Sequence, residues 1–244
     1  MKFSLKILIF IFLILLQNCS GKKDLVDKNI IEEDRIDTQM IEAYKKGLEE
    51  LNKGDALLAA KMFNEAELLY PQSIWAPRSS LMSAYSYYSQ NYFDDAIFEL
   101  ERYLKTYPNH NRIDYAYYML AMCHYDQIVD EKKDIRPILE SKKFFNIITS
   151  QYPNSEFSLD ANYKIDLINE LMASKEIYLA NFYIKKEKWI PAINRFKVVL
   201  KDYSNTIFIE EAIHRLVELH YNLGMEEEAK KYAVLLGYNY QSSE

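Results

Sequence analysis

Residues 84–108 read AYSYYSQNYFDDAIFELERYLKTYP, and the order of small, aromatic and proline positions in this stretch carries the fold assignment. Ala84 lies in one helical segment. Twelve residues on, Ala96 begins a second, with Leu100 and Tyr103 at helical spacing and Tyr107-Pro108 closing it. Small residues belong where two helices cross closely, because bulk there pushes the axes apart. A proline just past the second helix ends it without removing an internal hydrogen bond. The same order recurs along the chain. Upstream stand Gly47, Ala59, Phe63, Ala66 and Tyr70-Pro71. Downstream come Ala121, Ser141, Phe145, Ile148 and Tyr152-Pro153, then Ala180, Ala192, Phe196, Val199 and Tyr203-Ser204. A last copy has Ala229, Tyr232 and Leu235 without the closing pair.

The register is regular, with two accountable exceptions. Pro71 to Pro108 is 37 residues, and so is Ala192 to Ala229. Pro108 to Pro153 is eight longer, and Ala121 to Ser141 shows the same excess, so the extra residues lie between the two helices of the third copy, in DQIVDEKKDIRP (126–137). Pro153 to Ser204 is fourteen longer, about four helical turns, so one lengthened helix keeps its inward face. Leu159 to Lys186, free of Gly and Pro, fits that helix. These offsets resemble the tetratricopeptide repeat, a pair of antiparallel helices. The expectation is an all-α solenoid of five tetratricopeptide-like helix pairs, each stabilised by its stacked neighbours. First helices of such pairs line the concave side. Their exposed positions include Tyr44, Leu48, Arg78, Tyr85, Tyr88, Tyr115, Tyr118 and Tyr125. Tyrosine combines contact area with a hydroxyl at small entropic cost, which suits holding an extended peptide, and it suits packing between repeats equally well.

Composition agrees and narrows the classes. The chain has 244 residues, 27% charged and 49% apolar, with 5 Gly and 6 Pro. So few glycines leave little for the turns of a β-sandwich or barrel, or for a phosphate-cradling loop. There are 21 tyrosines, and the formal charge is −6. An acidic chain is poorly suited to nucleic acid, whose affinity rests on basic contacts to phosphate.

The N-terminal eighteen residues are an address. MKFSLK is basic, and Ile7 to Leu16 is an unbroken apolar run. Ten helical residues rise about 15 Å, roughly half a hydrocarbon core, which fits an export signal better than a permanent span. Leu16-Gln17-Asn18-Cys19 then resembles the lipobox of bacterial lipoproteins, with Asn18 where Gly, Ala or Ser is usual. That resemblance implies cleavage before Cys19, acylation of Cys19 and, with Ser20 next, sorting to an outer membrane. Acylating Cys19 leaves Cys123 without a disulfide partner; in its helical context Cys123 reads as a small buried residue. The expected organisation is a signal peptide over 1–18, a lipidated flexible tether over 19–38, repeats one to three over 39–156, and the long helix with repeats four and five over 157–244.

Beyond the repeat, several segments are similar to the BamD family of outer-membrane assembly lipoproteins. His110-Asn111-Arg112-Ile113-Asp114-Tyr115, running on to Tyr118-Met119, resembles its HPxIDY…YM segment, with Asn111 where Pro is common. Arg136-Pro137 stands near its Arg-Asp-Pro, the Asp missing. Tyr152-Pro153-Asn154-Ser155 with Asp160-Ala161 matches YPNS…DA, Trp189 with Asn194-Arg195 matches WxxxxNR, and Lys201-Asp202-Tyr203-Ser204 resembles RDYP. The resemblance implies a non-enzymatic scaffold, lipid-anchored at the periplasmic face of the outer membrane. It would bind a POTRA domain of the barrel-forming subunit, C-terminal signals of unfolded outer-membrane proteins, and other assembly lipoproteins. It assigns the POTRA contact to Arg195, and substrate-peptide contacts to the first repeats, hence to Tyr44, Arg78, Tyr85, Tyr88, Tyr115, Tyr118 and Tyr125.

Nothing in the residues asks for a cofactor, a metal or a reaction. His110, His124, His214 and His220 are scattered, and the last two, six apart, lie about 240° apart around a helix. No Gly-rich phosphate loop or nucleophile elbow is present. Two other readings stay open at this stage: a periplasmic repeat adaptor for cell-wall or division enzymes, and a ligand-binding subunit of an enzyme or transporter.

Overall fold

The computed structural model describes residues 24–129 and 134–240, and every described regular element is a helix. In chain order they are α1 (Asp24–Lys53), α2 (Ala56–Leu69), α3 (Ala76–Ser89), α4 (Phe93–Thr106) and α5 (Ile113–Asp126). There follow α6 (Arg136–Gln151), α7 (Ser158–Lys185), α8 (Trp189–Asp202), α9 (Ile209–Asn222) and α10 (Glu226–Asn239). Seven of them are 14 residues long, and α7, at 28, is twice that, as the fourteen-residue excess requires. The eight-residue excess of the third repeat is split. Six residues lengthen the α5–α6 connection, and two extend the head of α6, which is 16 residues long and begins with Pro137 in its first turn.

The turns between helices repeat too. Gly54, Asn91, Glu187 and Gly224 hold φ of 85°, 63°, 57° and 72° at the end of the first helix of their repeats. Each donates its N–H to the carbonyl three residues back, and the next residue donates to the carbonyl five back, as Asp55 does to Glu50 and Lys188 to Tyr183. This is the left-handed helix cap that satisfies the orphan terminal carbonyls. At the other end of each pair, Tyr70, Tyr107, Tyr152 and Tyr203 are C-caps. Each accepts at its carbonyl the N–H of the residue three further on.

The chain forms two compact units, one ending at Ser86 and one starting at Tyr87. The packing therefore divides at 86/87, whereas the sequence suggested halves meeting at 156/157. In the first unit α1 packs along α2. Gly47 faces the ring of Phe63, and Met40, Ala43 and Ala66 are buried under Tyr44, Leu69, Tyr70 and Trp75. The segment expected to be a tether is helical from Asp24: without Gly or Pro between Lys22 and Gly47, nothing interrupts α1 before the first repeat. Cys19 and the signal segment lie outside the described residues.

In the second unit α5 packs on α6, α6 on α7, α7 on α8 and α9 on α10. Ser141 stands where the other second helices carry Ala, and its hydroxyl donates to the Ala121 carbonyl at 3.0 Å, so the close crossing gains a hydrogen bond. Around α7–α9 the core is Ala173, Ile177, Ala180, Ala192, Phe196, Val199 and Leu216 with their neighbours. Phe196 is fully buried, a burial that stabilises by about 1.5–3 kcal/mol. Cys123 is buried as expected, and burial first, then Asp126, pushes its thiol up to about 12, far from a reactive thiolate.

Candidate functional site

In the first unit, Tyr44 and Arg78 come together over one indole. The Tyr44 ring meets Phe63 at 5.2 Å and Trp75 at 5.3 Å, and the Arg78 guanidinium carbon lies 5.0 Å from the Trp75 centroid. Half-buried, Tyr44 has its hydroxyl pKa raised by loss of solvent, with Arg78 opposing. Tyr85 is more open, at 38% exposure. Arg78 is exposed, and its charge stacked on the indole is a cation–π pair that leaves N–H groups for a ligand.

In the second unit, Tyr115, Tyr118 and Tyr125 come off α5 and are tied together by phenylalanines of the next elements. Tyr118 stacks on Phe157 at 4.8 Å, and Tyr115 leans on the same ring at 5.4 Å. Tyr118 and Tyr125 both meet Phe145 edge-on, at 6.1 and 6.2 Å. Two hydroxyls are committed to carboxylates one repeat further on: Tyr88 donates to Asp126 Oδ2 and Tyr118 to Asp160 Oδ2, each at 2.7 Å. Burial, then the donated hydrogen bond to a carboxylate, holds both phenols well above the usual tyrosine range. So Tyr88 and Tyr118 serve inter-repeat packing with their hydroxyls, while their ring edges remain partly open. Phe145, Phe157, Asp126 and Asp160 complete the cluster. Asp126 and Asp160 follow the tyrosines they bind by 38 and 42 residues, about one repeat, which is the sequence signal that would have found the two aspartates.

Arg195 stands on α8, one residue before the core ring of Phe196, with its side chain 40% exposed. It does not reach outward unpartnered. Its Nη1 donates to Glu176 Oε2 at 3.1 Å, and the Glu176 side chain, on α7, is only 10% exposed. Arg195, without Glu176, borders a hollow of about 220 Å³ lined also by Tyr183, Pro191, Asn194 and Val198. Sequence reading missed Glu176, which is nineteen residues before its partner and sits in a long helix among several other acids. A planar guanidinium held on one edge by a buried carboxylate is preset to offer its other N–H groups to a second acceptor.

A further concavity runs along α7 towards the α8–α9 turn. Tyr125, Leu167, Leu171, Ile207 and Phe208 line about 380 Å³ of it, and Glu170 lines both this part and an adjoining 300 Å³ hollow with Asp166 and Asp202. Among the described residues no three His, Cys, Asp or Glu side chains converge to hold a metal ion, and no helix is long and apolar enough to cross a membrane.

Comparison with known proteins adds to this geometry. The family model YfiO, described as an outer membrane lipoprotein, matches residues 36–235. An outer membrane protein assembly factor BamD of Caulobacter vibrioides is 36% identical over 197 residues, covering 81% of this chain and 65%, just under two thirds, of the relative. The BamD of Rickettsia prowazekii is 35% identical over 230 residues, covering 94% of this chain and 88% of that one. A solved Podosopora anserina structure, described as a putative kinesin light chain with nearly identical TPR-like repeats, has a TM-score of 0.40. It is 11% identical and covers 85% of this chain and 98% of that chain.

Proposed function

This chain belongs to the YfiO family of outer membrane lipoproteins, and we propose that it is a non-catalytic scaffold of outer-membrane β-barrel assembly, anchored through acylated Cys19 at the periplasmic face. In this reading Arg195 contacts a POTRA domain of the barrel-forming subunit. Tyr44, Arg78 and Tyr85 in the first unit, and Tyr88, Tyr115, Tyr118 and Tyr125 in the second, receive C-terminal signals of unfolded outer-membrane proteins. The carrying observation is the family match over residues 36–235, which spans every helix pair. Support for Arg195 is its half-exposed guanidinium, oriented by Glu176 beside a small hollow. Support for the tyrosines is the pair of aromatic faces, whose rings offer contact area at low entropic cost.

The test is the affinity of the full-length chain for an isolated POTRA domain of the barrel subunit. Arg195→Ala should weaken it about tenfold, ~1.4 kcal/mol, and Arg195→Lys by less, since a lysine keeps the charge and loses the fork. Arg195→Glu is a poor choice, because it sets a second carboxylate against Glu176 and strains the α7–α8 contact. Unchanged affinity for Arg195→Ala, at an unchanged melting temperature, would remove Arg195 from the interface.

A further inference from the structure

The groove on α7 belongs to neither set of contacts above except through Tyr125, and its chemistry is distinct. Its floor is apolar: Leu167 and Leu171 come one helical turn apart from α7, faced by Tyr125 from α5 and by Ile207 and Phe208 ahead of α9. Ile207 is 80% exposed although it is a large branched hydrocarbon, so its side chain stands in water at the groove rim. Its backbone N–H is held by the Glu170 carboxylate at 3.2 and 3.3 Å, which fixes the rim in place. The adjoining end is acidic: Asp166, Glu170 and Asp202 line it with Asn169, Tyr203 and Ser204. The native cations nearby are Lys142 and Lys164. Lys142 donates to Asn169 Oδ1 at 2.7 Å and lies 5.8 Å from the Tyr203 centroid, and the Lys164 ammonium lies 5.1 Å from the Tyr125 centroid. Both ammonium groups sit over aromatic faces at the edge, which shows that the walls accept cations. Lys142 thus stands against two residues of the acidic end, Asn169 and Tyr203, where the three carboxylates still outnumber it, and Lys164 stands at the apolar part beside Tyr125.

We propose that this groove docks an internal segment of a partner polypeptide, in which an apolar or aromatic residue is followed by lysine or arginine. The apolar residue fills the floor beside Leu171, and the cation reaches Asp166 and Asp202. Charge complementarity selects this occupant. A peptide ending in a free carboxylate would bring its charge against three acids, so the groove disfavours the chain-terminal signals assigned to the other tyrosines. The inference rests on the reading of this chain as a polypeptide-holding scaffold, and for Tyr125 alone it replaces that reading's assignment to the C-terminal signals.

The experiment uses the full-length chain and three labelled synthetic peptides of about ten residues in a Gly-Ser frame, with Lys-Leu-Phe-Lys, Glu-Leu-Phe-Glu or Lys-Gly-Ser-Lys at the centre. Fluorescence anisotropy should show saturable binding of the first, at least tenfold tighter than either of the others. Raising the salt should weaken it, since the acidic end is open to solvent. Asp166→Asn with Asp202→Asn, two exposed positions, should weaken the first peptide about tenfold while leaving its melting temperature and its affinity for the POTRA domain unchanged. Equal binding of the Lys- and Glu-flanked peptides, or indifference to the double substitution, overturns the proposal. Loss of POTRA affinity on Arg195→Ala is read on a different variant, so the two readings fail separately.

Discussion

Gly47 is the tightest point of the first repeat, and adding one methyl group there tests how closely α1 and α2 are locked. A Cβ built at Gly47 would lie 2.8 and 2.9 Å from two ring carbons of Phe63. Carbon atoms pack at about 3.5–4.0 Å, so the ring must retreat by roughly 0.6–1.2 Å. It has little room to do so: Phe63 is fully buried, and the Tyr44 ring stands 5.2 Å from it at an interplanar angle of 67°. Overpacking of this kind costs about 1–3 kcal/mol. Against it, Ala in a helix is favoured over Gly by about 1 kcal/mol. The net for Gly47→Ala is a loss of about 1 kcal/mol, a fall of roughly 2–4 °C in melting temperature for a chain this size. Gly237 in α10 is the internal control. Its built Cβ meets nothing within 4 Å, so Gly237→Ala should gain from helix propensity alone and raise the melting temperature. Far-UV circular dichroism melts of both variants read the difference. A rise in melting temperature for Gly47→Ala would refute the close-crossing argument.

Two further outcomes follow from the same structure. Glu187 holds φ of 57° in the cap after α7, a conformation that suits glycine, so Glu187→Gly should stabilise by about 1 kcal/mol. Gly224→Ala, at the equivalent cap where φ is 72°, should destabilise by a similar amount; denaturant titration measures both. His124 lies flat on Phe144, ring centroids 5.7 Å apart and planes within 5°, and burial, partly offset by Glu140, lowers its pKa. Its folded form therefore resists protonation, and its contribution, full above the unfolded histidine value near 6.5, is lost as pH falls from that value through the lower folded one. His124→Phe should flatten the decline in melting temperature between about pH 7 and pH 5.

The helix pairs were legible because their information is local. Small residues at a fixed offset, a phenylalanine or leucine four further on in the first four repeats and a closing Tyr-Pro or Tyr-Ser each constrain neighbours within one or two helical turns. The same bookkeeping located the long α7 and the lengthened α5–α6 connection. Less local features were not legible. The left-handed caps at Asn91 and Glu187 carry no glycine to announce them, although they fall 37 residues from Gly54 and Gly224. The helix that begins at Asp24 is hidden in a polar composition that suits a tether, and only its lack of Gly and Pro favours a helix. Among the candidate contacts, Arg195 was found by resemblance, but its tie to Glu176 could not be: α7 offers several acids, and only the crossing of α7 with α8 selects one.

By itself the sequence determined the fold class, the number of repeats, their register and the family, since repeating units write their packing into a one-dimensional period. Tertiary structure alone decided which side chains those units bring face to face. It bound Tyr88 to Asp126 and Tyr118 to Asp160, oriented Arg195 on Glu176, and opened an apolar groove with an acidic end beside Tyr125. The physical reason is the range of the forces concerned. Helix propensity, capping and close crossing act over a few residues of chain, whereas charge pairing and cavity shape depend on groups that are close in space because whole helices have already packed.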